Sequence, residues 1–327
     1  MKVLVLTDHR GHSEQNSVYG LVRAMSKLEK GAQFFIASRG LSVNDPFFYD
    51  FKSSELEVLR CVEDFRYHPD HAFFMKPGII MNLKDFDWIL LRLPRPIPDG
   101  FFDFLRANFN EDKIINRPSG IELTGSKLFL LNYPKWCPPM KLCESVKDIR
   151  EFADRFPIVI KPLENYGGKG LVRIDGKKVW EENELTDREK FFDKLSREKD
   201  IRYLGMKYLT NVHLGDKRIM ISNEEILGAS LRTPPPGSWL CNVAQGGTSS
   251  EVELDEREIE MVKALIPDMK SQGVVLFGVD TLAGNDGLRY LSEINTLSLG
   301  GLAPAEMNSK LPILEKAAQG IWNYIKQ

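Results

Sequence analysis

Gly278-Val279-Asp280, an Asn285-Asp286-Gly287 turn and the run Leu291-Ser292-Glu293-Ile294-Asn295 concentrate acids and an amide in one short stretch near the C-terminus. Two runs rich in Val, Phe, Tyr and Leu around an Asp-Gly signal predict a β-hairpin. Side chains alternate along a strand, so Glu293 and Asn295 share a face, and Asp280 on the partner strand meets them if the register allows. Two carboxylates and an amide oxygen make an all-oxygen set, which suits Mg²⁺ when the ion also holds nucleotide phosphates. Taken alone, the same face reads equally well as a polar surface bonding to itself.

Other residues suit phosphate. Lys127 and Lys161 each lie on or beside a regular element, and Gly167, Gly168, Lys169 and Gly170 form a glycine loop. Glycines let backbone N–H groups approach phosphate, and lysines bring compensating point charge. Lys161 ends an apolar strand, where an ammonium is costly unless it meets an anion. A Walker P-loop motif is absent, and no G-x-G-x-x-G follows the first strand, which argues against a dinucleotide site.

The elements that must position these residues follow from periodicity. An apolar run at 2–7, an amphipathic helix over about 17–30 with Val18, Leu21, Val22 and Met25 on one face, and a run at 33–38 give a β-α-β order. With strands at 87–92 and 113–116, this predicts a small doubly wound parallel domain. The proline-stiffened residues 93–99 must be loop. Beyond residue 118 a short helix carries Lys127, and strands are expected at 140–143, 158–161 and 171–175, with helices at 145–156 and 186–198. Strands at 203–209, 217–222 and 226–233 precede a long Gly/Pro loop over 234–247. A strong helix over 255–272 places Ile259, Val262, Ile266 and Met269 on one face, with Gly273 as its stop.

The chain has 327 residues, 43% hydrophobic and 28% charged, with a formal net charge of −2. Such values suit a globular protein of two or three lobes. No basic block proposes nucleic acid, and no apolar stretch could span a bilayer. The four cysteines show neither a CxxC pair nor scaffold density, so a reducing, cytoplasmic setting is expected. His9-x-x-His12 and His68-x-x-His71 have ligand-like spacing without a third partner in register, and read as surface histidines. His9, Arg10, His12 and Ser17 nevertheless follow the first strand, where open α/β sheets bind ligands.

Lys161-Pro162-Leu163 with the glycine loop, Gly215-Asp216-Lys217-Arg218, Asn242-Val243-Ala244-Gln245-Gly246-Gly247 and the Asp280…Glu293-Ile294-Asn295 hairpin, in this order, resemble the bacterial glutathione synthetase family of ATP-grasp ligases. The likeness extends to the 87–92 run, Ile115-Asn116-Arg117-Pro118 and Lys127-Leu128-Phe129. It implies an ATP-grasp fold of α+β lobes behind a doubly wound parallel-sheet N-terminal domain, divided at 1–118, 119–205 and 206–327. By this resemblance, Lys127, Lys161 and Gly167–Gly170 hold the ATP phosphates. Met206, Lys207, Tyr208 and Leu209 frame adenine, and Asp216 bonds the ribose. Arg218 and Asn242 face the transferred phosphoryl group, while Asp280, Glu293 and Asn295 hold two Mg²⁺ ions, with Mn²⁺ as a substitute. Ser17, Arg92, Ser298 and Gly300 would meet substrate.

The reaction so implied converts a carboxylate into an acyl phosphate for an amine to attack, joining γ-glutamylcysteine to glycine. Acyl phosphates hydrolyse in water, so residues 234–247 are expected to form a lid, with Cys241 an ordinary member of it. The chain departs from the family pattern at Leu240-Cys241-Asn242, at Leu297-Ser298-Leu299-Gly300-Gly301 and at Arg92-Leu93-Pro94-Arg95-Pro96. The ATP half therefore reads as intact and the acceptor half as altered. A ligase for another peptide or amino acid, or an ATP-binding regulator without turnover, stand as alternatives. Expected partners are small-molecule or short-peptide substrates and further copies of the chain, with neither nucleic acid nor membrane.

Overall fold

The computed structural model describes residues 1–61, 65–163, 170–181, 184–234 and 248–327. Its first sheet contains β1 (Lys2–Thr7), β2 (Gln33–Ser38), β3 (Glu55–Arg60), β4 (Ile79–Asn82), β5 (Trp88–Arg92) and β6 (Ile114–Ile115) in the order β4-β3-β2-β1-β5-β6. Strands β2, β1, β5 and β6 are parallel, as the β-α-β order predicts, whereas β3 and β4 add an antiparallel edge. Strand β1 pairs with both β2 and β5, so the strand order switches beside it, the place in open α/β sheets whose carboxyl side receives ligands.

Helices α1 (Ser17–Leu28), α2 (Asp45–Phe48), α3 (Phe101–Asn108) and α4 (Pro118–Thr124) accompany this sheet. The Asn16 side chain caps α1 by accepting from the Val18 N–H, and the expected face of Val18, Leu21, Val22 and Met25 is buried. The helix stops before residue 30, since the Glu29 backbone leaves helical geometry.

The second sheet is antiparallel, in the order β11-β10-β9-β8-β12-β7, from β7 (Met140–Cys143), β8 (Ile158–Pro162), β9 (Val172–Asp175), β10 (Lys178–Glu181), β11 (Glu184–Asp187) and β12 (Tyr203–Lys207). Helices α5 (Val146–Ala153) and α6 (Arg188–Leu195) bury Ile149, Phe152, Phe191 and Phe192 against it. The helix expected from 186 begins later, because Glu184–Asp187 pairs with β10 and Asp187 then caps α6. Helix α5 is likewise shorter than 145–156, ending at Ala153, and Ser145 caps it by accepting from the Asp148 N–H.

The third sheet runs β15-β14-β13-β16-β17, all antiparallel, from β13 (Asp216–Ser222), β14 (Glu225–Thr233), β15 (Thr248–Glu251), β16 (Leu276–Ala283) and β17 (Arg289–Asn295). Helix α7 (Glu256–Ser271) starts with a capping box of Asp255 and Glu258 and buries Met261, Val262, Leu265 and Met269. The expected Ile259 and Ile266 lie at the half-buried margins of that stripe. Its core also takes Phe129, Leu130, Leu204 and Met206, so one apolar cluster joins the second and third sheets.

The last two helices, α8 (Leu302–Ser309) and α9 (Ile313–Ile325), return to the first sheet. Trp322 and Ile321 pack with Val22, Phe34 and Met25, and Trp322 Nε1 donates to the Met25 carbonyl at 3.0 Å. The end of the segment assigned to 206–327 therefore shares a core with the N-terminal sheet. Asn116, just beyond β6, ties the first sheet to the third. Its Oδ1 accepts from the Val275 and Leu276 N–H groups, and its Nδ2 donates to the Leu276 and Thr296 carbonyls. Among the described residues, no helix is long and apolar enough to cross a membrane.

Candidate active site

Strand pairing in the third sheet gathers charge on one face. Arg218 of β13 lies opposite Asp280 of β16, and Asp216 of β13 lies opposite Arg232 of β14. Opposite charges facing each other across antiparallel strands attract. Arg218 donates from Nε and Nη2 to the two Asp280 oxygens at 2.8 and 2.7 Å. Arg232 donates to both Asp216 oxygens and also to Asp280 Oδ2, the latter at 2.9 Å. Asp280 is buried, which alone would raise its pKa, yet the two guanidiniums hold it well below the usual carboxylate range. Burial and the neighbouring Asp280 charge push Asp216 the other way, upward.

The hairpin forms as expected, with Gly287 in the left-handed region and Gly284 N–H donating to Leu288 O at 2.7 Å. Its ladder slips by one residue beside Asp280: Thr281 pairs with Leu291, but Asp280 pairs with Glu293. Ser292 is the extra residue of this bulge. The slip brings Glu293 directly opposite Asp280, and Asn295 Nδ2 reaches Asp280 Oδ2 at 3.0 Å. Lys161, on β8 of the second sheet, crosses to the bulge, where its ammonium donates to the Ser292 carbonyl at 3.3 Å and hydroxyl at 3.4 Å. Burial lowers the Lys161 pKa, and the Glu293 charge opposes that shift. Asp280, Glu293 and Asn295 thus lie together on the hairpin and are of the residue types a hard divalent cation takes, with the Asp280 oxygens held here by Arg218 and Arg232 and the Asn295 amide nitrogen turned toward them.

Lys127 opens a 3₁₀ turn rather than an α-helix, with Ser126 as its cap, and its buried ammonium donates to Leu163 O at 3.4 Å. Burial pushes it down to about 8, with the charges of Lys161 and Arg95 adding to the shift and Glu293 opposing it. Triphosphate binds the ammonium form, so ATP affinity should weaken as pH rises through about 8, approaching tenfold per unit. Titration with ATP alone checks this. Lys127→Arg should flatten the profile, and a wild-type affinity constant from pH 7 to 9.5 would refute it.

The remaining expected residues are distributed as follows. Met206, Tyr208 and Leu209 are buried and Lys207 half-buried, but the N–H groups of Lys207 and Tyr208 already donate to Pro139 and Pro157. An adenine edge would therefore be read by the other backbone groups of this segment. Asp216 is held by Arg232, so a ribose hydroxyl would share its carboxylate with that guanidinium. Gly170 has a φ of 70°, which favours glycine. Gly167, Gly168, Lys169, Cys241, Asn242 and the expected lid after Pro234 lie outside the described residues.

On the N-terminal side, the Ser17 hydroxyl accepts from the Ala303 N–H at 3.1 Å, and so tethers α8. Arg92 is buried, donates through Nη2 to Leu299 O at 2.7 Å, and has no carboxylate partner among the described residues. Its Nε is buried without an acceptor, and burial lowers its pKa to about 10. Ser298 is half-buried and Gly300 exposed, on the segment that runs from Arg92 to Gly301 beside Arg218. A cleft of about 650 Å³ on the α6 side of the second sheet includes Gly170 alone of the expected residues that are described.

His9 and His12 are not surface residues. The rings are buried because their nitrogens find partners: His9 Nδ1 bonds Ser38 Oγ at 2.7 Å, and His12 bonds Thr7 Oγ1 and Tyr19 OH. Among the described residues, no group of three or more His, Cys, Asp or Glu could hold a metal ion. Sequence reasoning passed over Arg232, although a charge pattern of Asp216 and Arg218 on one strand invites a basic partner across the ladder.

The model of the prokaryotic glutathione synthetase ATP-grasp domain matches residues 126–310. The chain is 28% identical over 311 residues to a glutathione synthetase of Neisseria meningitidis serogroup B (strain ATCC BAA-335 / MC58), covering 92% of each. Among solved structures, it resembles D-cycloserine synthetase DcsG, with a TM-score of 0.65, 14% identity and 99% of each chain covered. It also resembles macrocyclase MdnC bound with precursor peptide MdnA from Microcystis aeruginosa MRC, with a TM-score of 0.63, 16% identity and coverage of 99% and 100%. At such identities these two likenesses establish the fold.

Proposed function

The chain belongs to the prokaryotic glutathione synthetase ATP-grasp family, and from that premise we propose that it joins γ-glutamylcysteine to glycine with hydrolysis of ATP to ADP. It is an ATP-dependent ligase of the carboxylate–amine class. The observation that carries the proposal is the gathering of Asp280, Glu293 and Asn295, two guanidiniums, the half-buried Lys161 and the buried Lys127 about the hairpin of the third sheet.

The substrate carboxylate attacks the γ-phosphorus and ADP leaves. The amine nitrogen then attacks the acyl carbon, loses a proton, and phosphate leaves. Phosphoryl transfer needs positioned charge more than a covalent protein group. Lys127 and Lys161 supply it to the phosphates, while Arg218 and Arg232 face the charge that develops during transfer. Asp280, Glu293 and Asn295 would hold Mg²⁺, which supplies neutralisation of phosphate charge. Two ions, Mn²⁺ as a substitute, a ribose contact at Asp216, a role for Asn242 at the phosphoryl group, a cytoplasmic setting and a homo-oligomer complete the reading. The divisions at 118 and 205 are retained as functional units, with α8 and α9 packed back on the first.

The test is ADP release with ATP and Mg²⁺, adding γ-glutamylcysteine and glycine together and then separately. A requirement for both, with glutathione found by mass spectrometry, is the expected result, and no stimulation would reject glutathione synthesis. One observation favours a second reading, a ligase for another acid. Arg92 is a buried cation whose described partner is the carbonyl of Leu299, in the very run that departs from the family pattern. A buried cation of this kind calls for an anionic substrate group, and the altered run shapes its surroundings. Activity with other acids and amines, but not this pair, would select that reading. A regulator without turnover is disfavoured, since Lys127, Lys161, Asp280, Glu293 and Asn295 are all retained.

A further inference from the structure

The segment after β5 carries three prolines, Pro94, Pro96 and Pro98, which cannot donate backbone hydrogen bonds. Its carbonyls are instead held by one side chain. Arg39, buried just after β2, donates from Nη2 to Pro94 O at 2.9 Å and from Nη1 to Pro96 O at 2.7 Å. Its third donor, Nε, meets Asp8 Oδ2 at 2.8 Å, and Asp8 is itself buried at the end of β1 and paired with Arg10. Arg39 therefore fastens both flanks of Arg95 to the first sheet. A planar guanidinium can do this because its donors point in fixed directions.

The residue so fastened reaches toward Gly125, two residues before Lys127. Arg95 Nη2 lies 3.5 Å from where a Cβ on Gly125 would stand, and Thr296 Oγ1 lies 3.2 Å from the same point. Thr296 directly follows the Asn295 oxygen donor, and its buried hydroxyl has no hydrogen-bond partner. Lys127 is near enough for the Arg95 charge to be felt on its ammonium. Arg95 is exposed to an incoming reactant, and its guanidinium, the Lys127 ammonium and the Thr296 hydroxyl are all donors from which an anion can accept.

We propose that Arg95 binds an anionic group of the reactants, triphosphate or substrate carboxylate, and that Arg39, anchored by Asp8, is the positioning residue that delivers it to the Lys127 side of the cleft. This rests on the ligase reading above for the identity of the carboxylate. Arg39 touches no reactant, so it acts only through the turn that it holds.

The experiment measures binding without turnover: ATP alone, then γ-glutamylcysteine in the presence of a non-hydrolysable ATP analogue, for wild type, Arg95→Ala, Arg39→Ala and the double variant. Arg95→Ala should weaken one ligand about tenfold, nucleotide if Arg95 meets phosphate and γ-glutamylcysteine if it meets the carboxylate. Arg39→Ala should weaken that same ligand, and the double variant should bind no worse than Arg95→Ala. Unchanged affinity for both ligands in Arg95→Ala, or additive losses in the double variant, overturns the proposal. If Arg39→Ala does not fold, Arg39→Gln replaces it in the cycle. A wild type that binds ATP but not γ-glutamylcysteine counts against glutathione synthesis, and the nucleotide arm then decides the role of Arg95 alone.

Discussion

Asp280→Asn should abolish most ligation while leaving a folded but weakened protein. One carboxylate accepts from Arg218, Arg232 and Asn295 and faces Glu293 across the hairpin. The amide is close in shape but carries no charge, and it turns an N–H₂ toward guanidinium donors. Losing a charged group where phosphoryl charge is balanced costs about 10²–10³-fold in kcat. Removing one partner of a buried ion pair leaves the other uncompensated, at about 3 kcal/mol. Turnover at saturating ATP and Mg²⁺, together with a urea midpoint, reads both effects. Activity within threefold of wild type, with only the midpoint lowered, would reduce Asp280 to a structural anion and withdraw the metal assignment.

Asn116→Ala should be the more damaging change to stability. The Asn116 side chain satisfies two N–H groups and two carbonyls of buried backbone at Val275, Leu276 and Thr296. Alanine satisfies none of them, and an unmade buried hydrogen bond costs about 1–3 kcal/mol for each group left dry. Some relaxation is expected, so a loss of about 3–5 kcal/mol is the forecast, a large share of a typical domain's total. Leu276 starts β16 and Thr296 follows β17, so both strands bearing the oxygen donors should loosen as well. Urea denaturation followed by tryptophan fluorescence gives the first number, and the Mg²⁺ dependence of activity gives the second. A change under 1 kcal/mol would mean that water replaces the amide.

Much of the fold was legible because local signals agreed with tertiary demands. The β-α-β order, the helix over 255–272 and the Asp-Gly hairpin all rest on periodicity and turn signals within short stretches of chain. Where distant pairing decided the outcome, the sequence was a weaker guide. Residues 186 and 187 read as the start of an amphipathic helix but belong to β11, because β10 offers a ladder to complete. His9 and His12 look like solvent-facing residues after a strand, yet Ser38, Thr7 and Tyr19 supply the partners that let them be buried. Arg39 carried no local signal, since the carbonyls that it holds lie 55 and 57 residues away at Pro94 and Pro96, and the Asp280 partner of Arg232 lies 48 residues away.

The sequence by itself determined the chemical inventory: the oxygen donors, the lysines, their order along the chain and the family they belong to. Only the tertiary structure decided which of them meet. A strand repeats every two residues, so moving the ladder by one residue turns a side chain to the opposite face. The bulge at Ser292 makes that one-residue move between Thr281 and Asp280. It puts Glu293 rather than Ser292 opposite Asp280, and it gives Lys161 a carbonyl and a hydroxyl to hold. No composition or spacing specifies that slip, because it arises from the packing of β17 against β16 and the approach of Lys161 from another sheet.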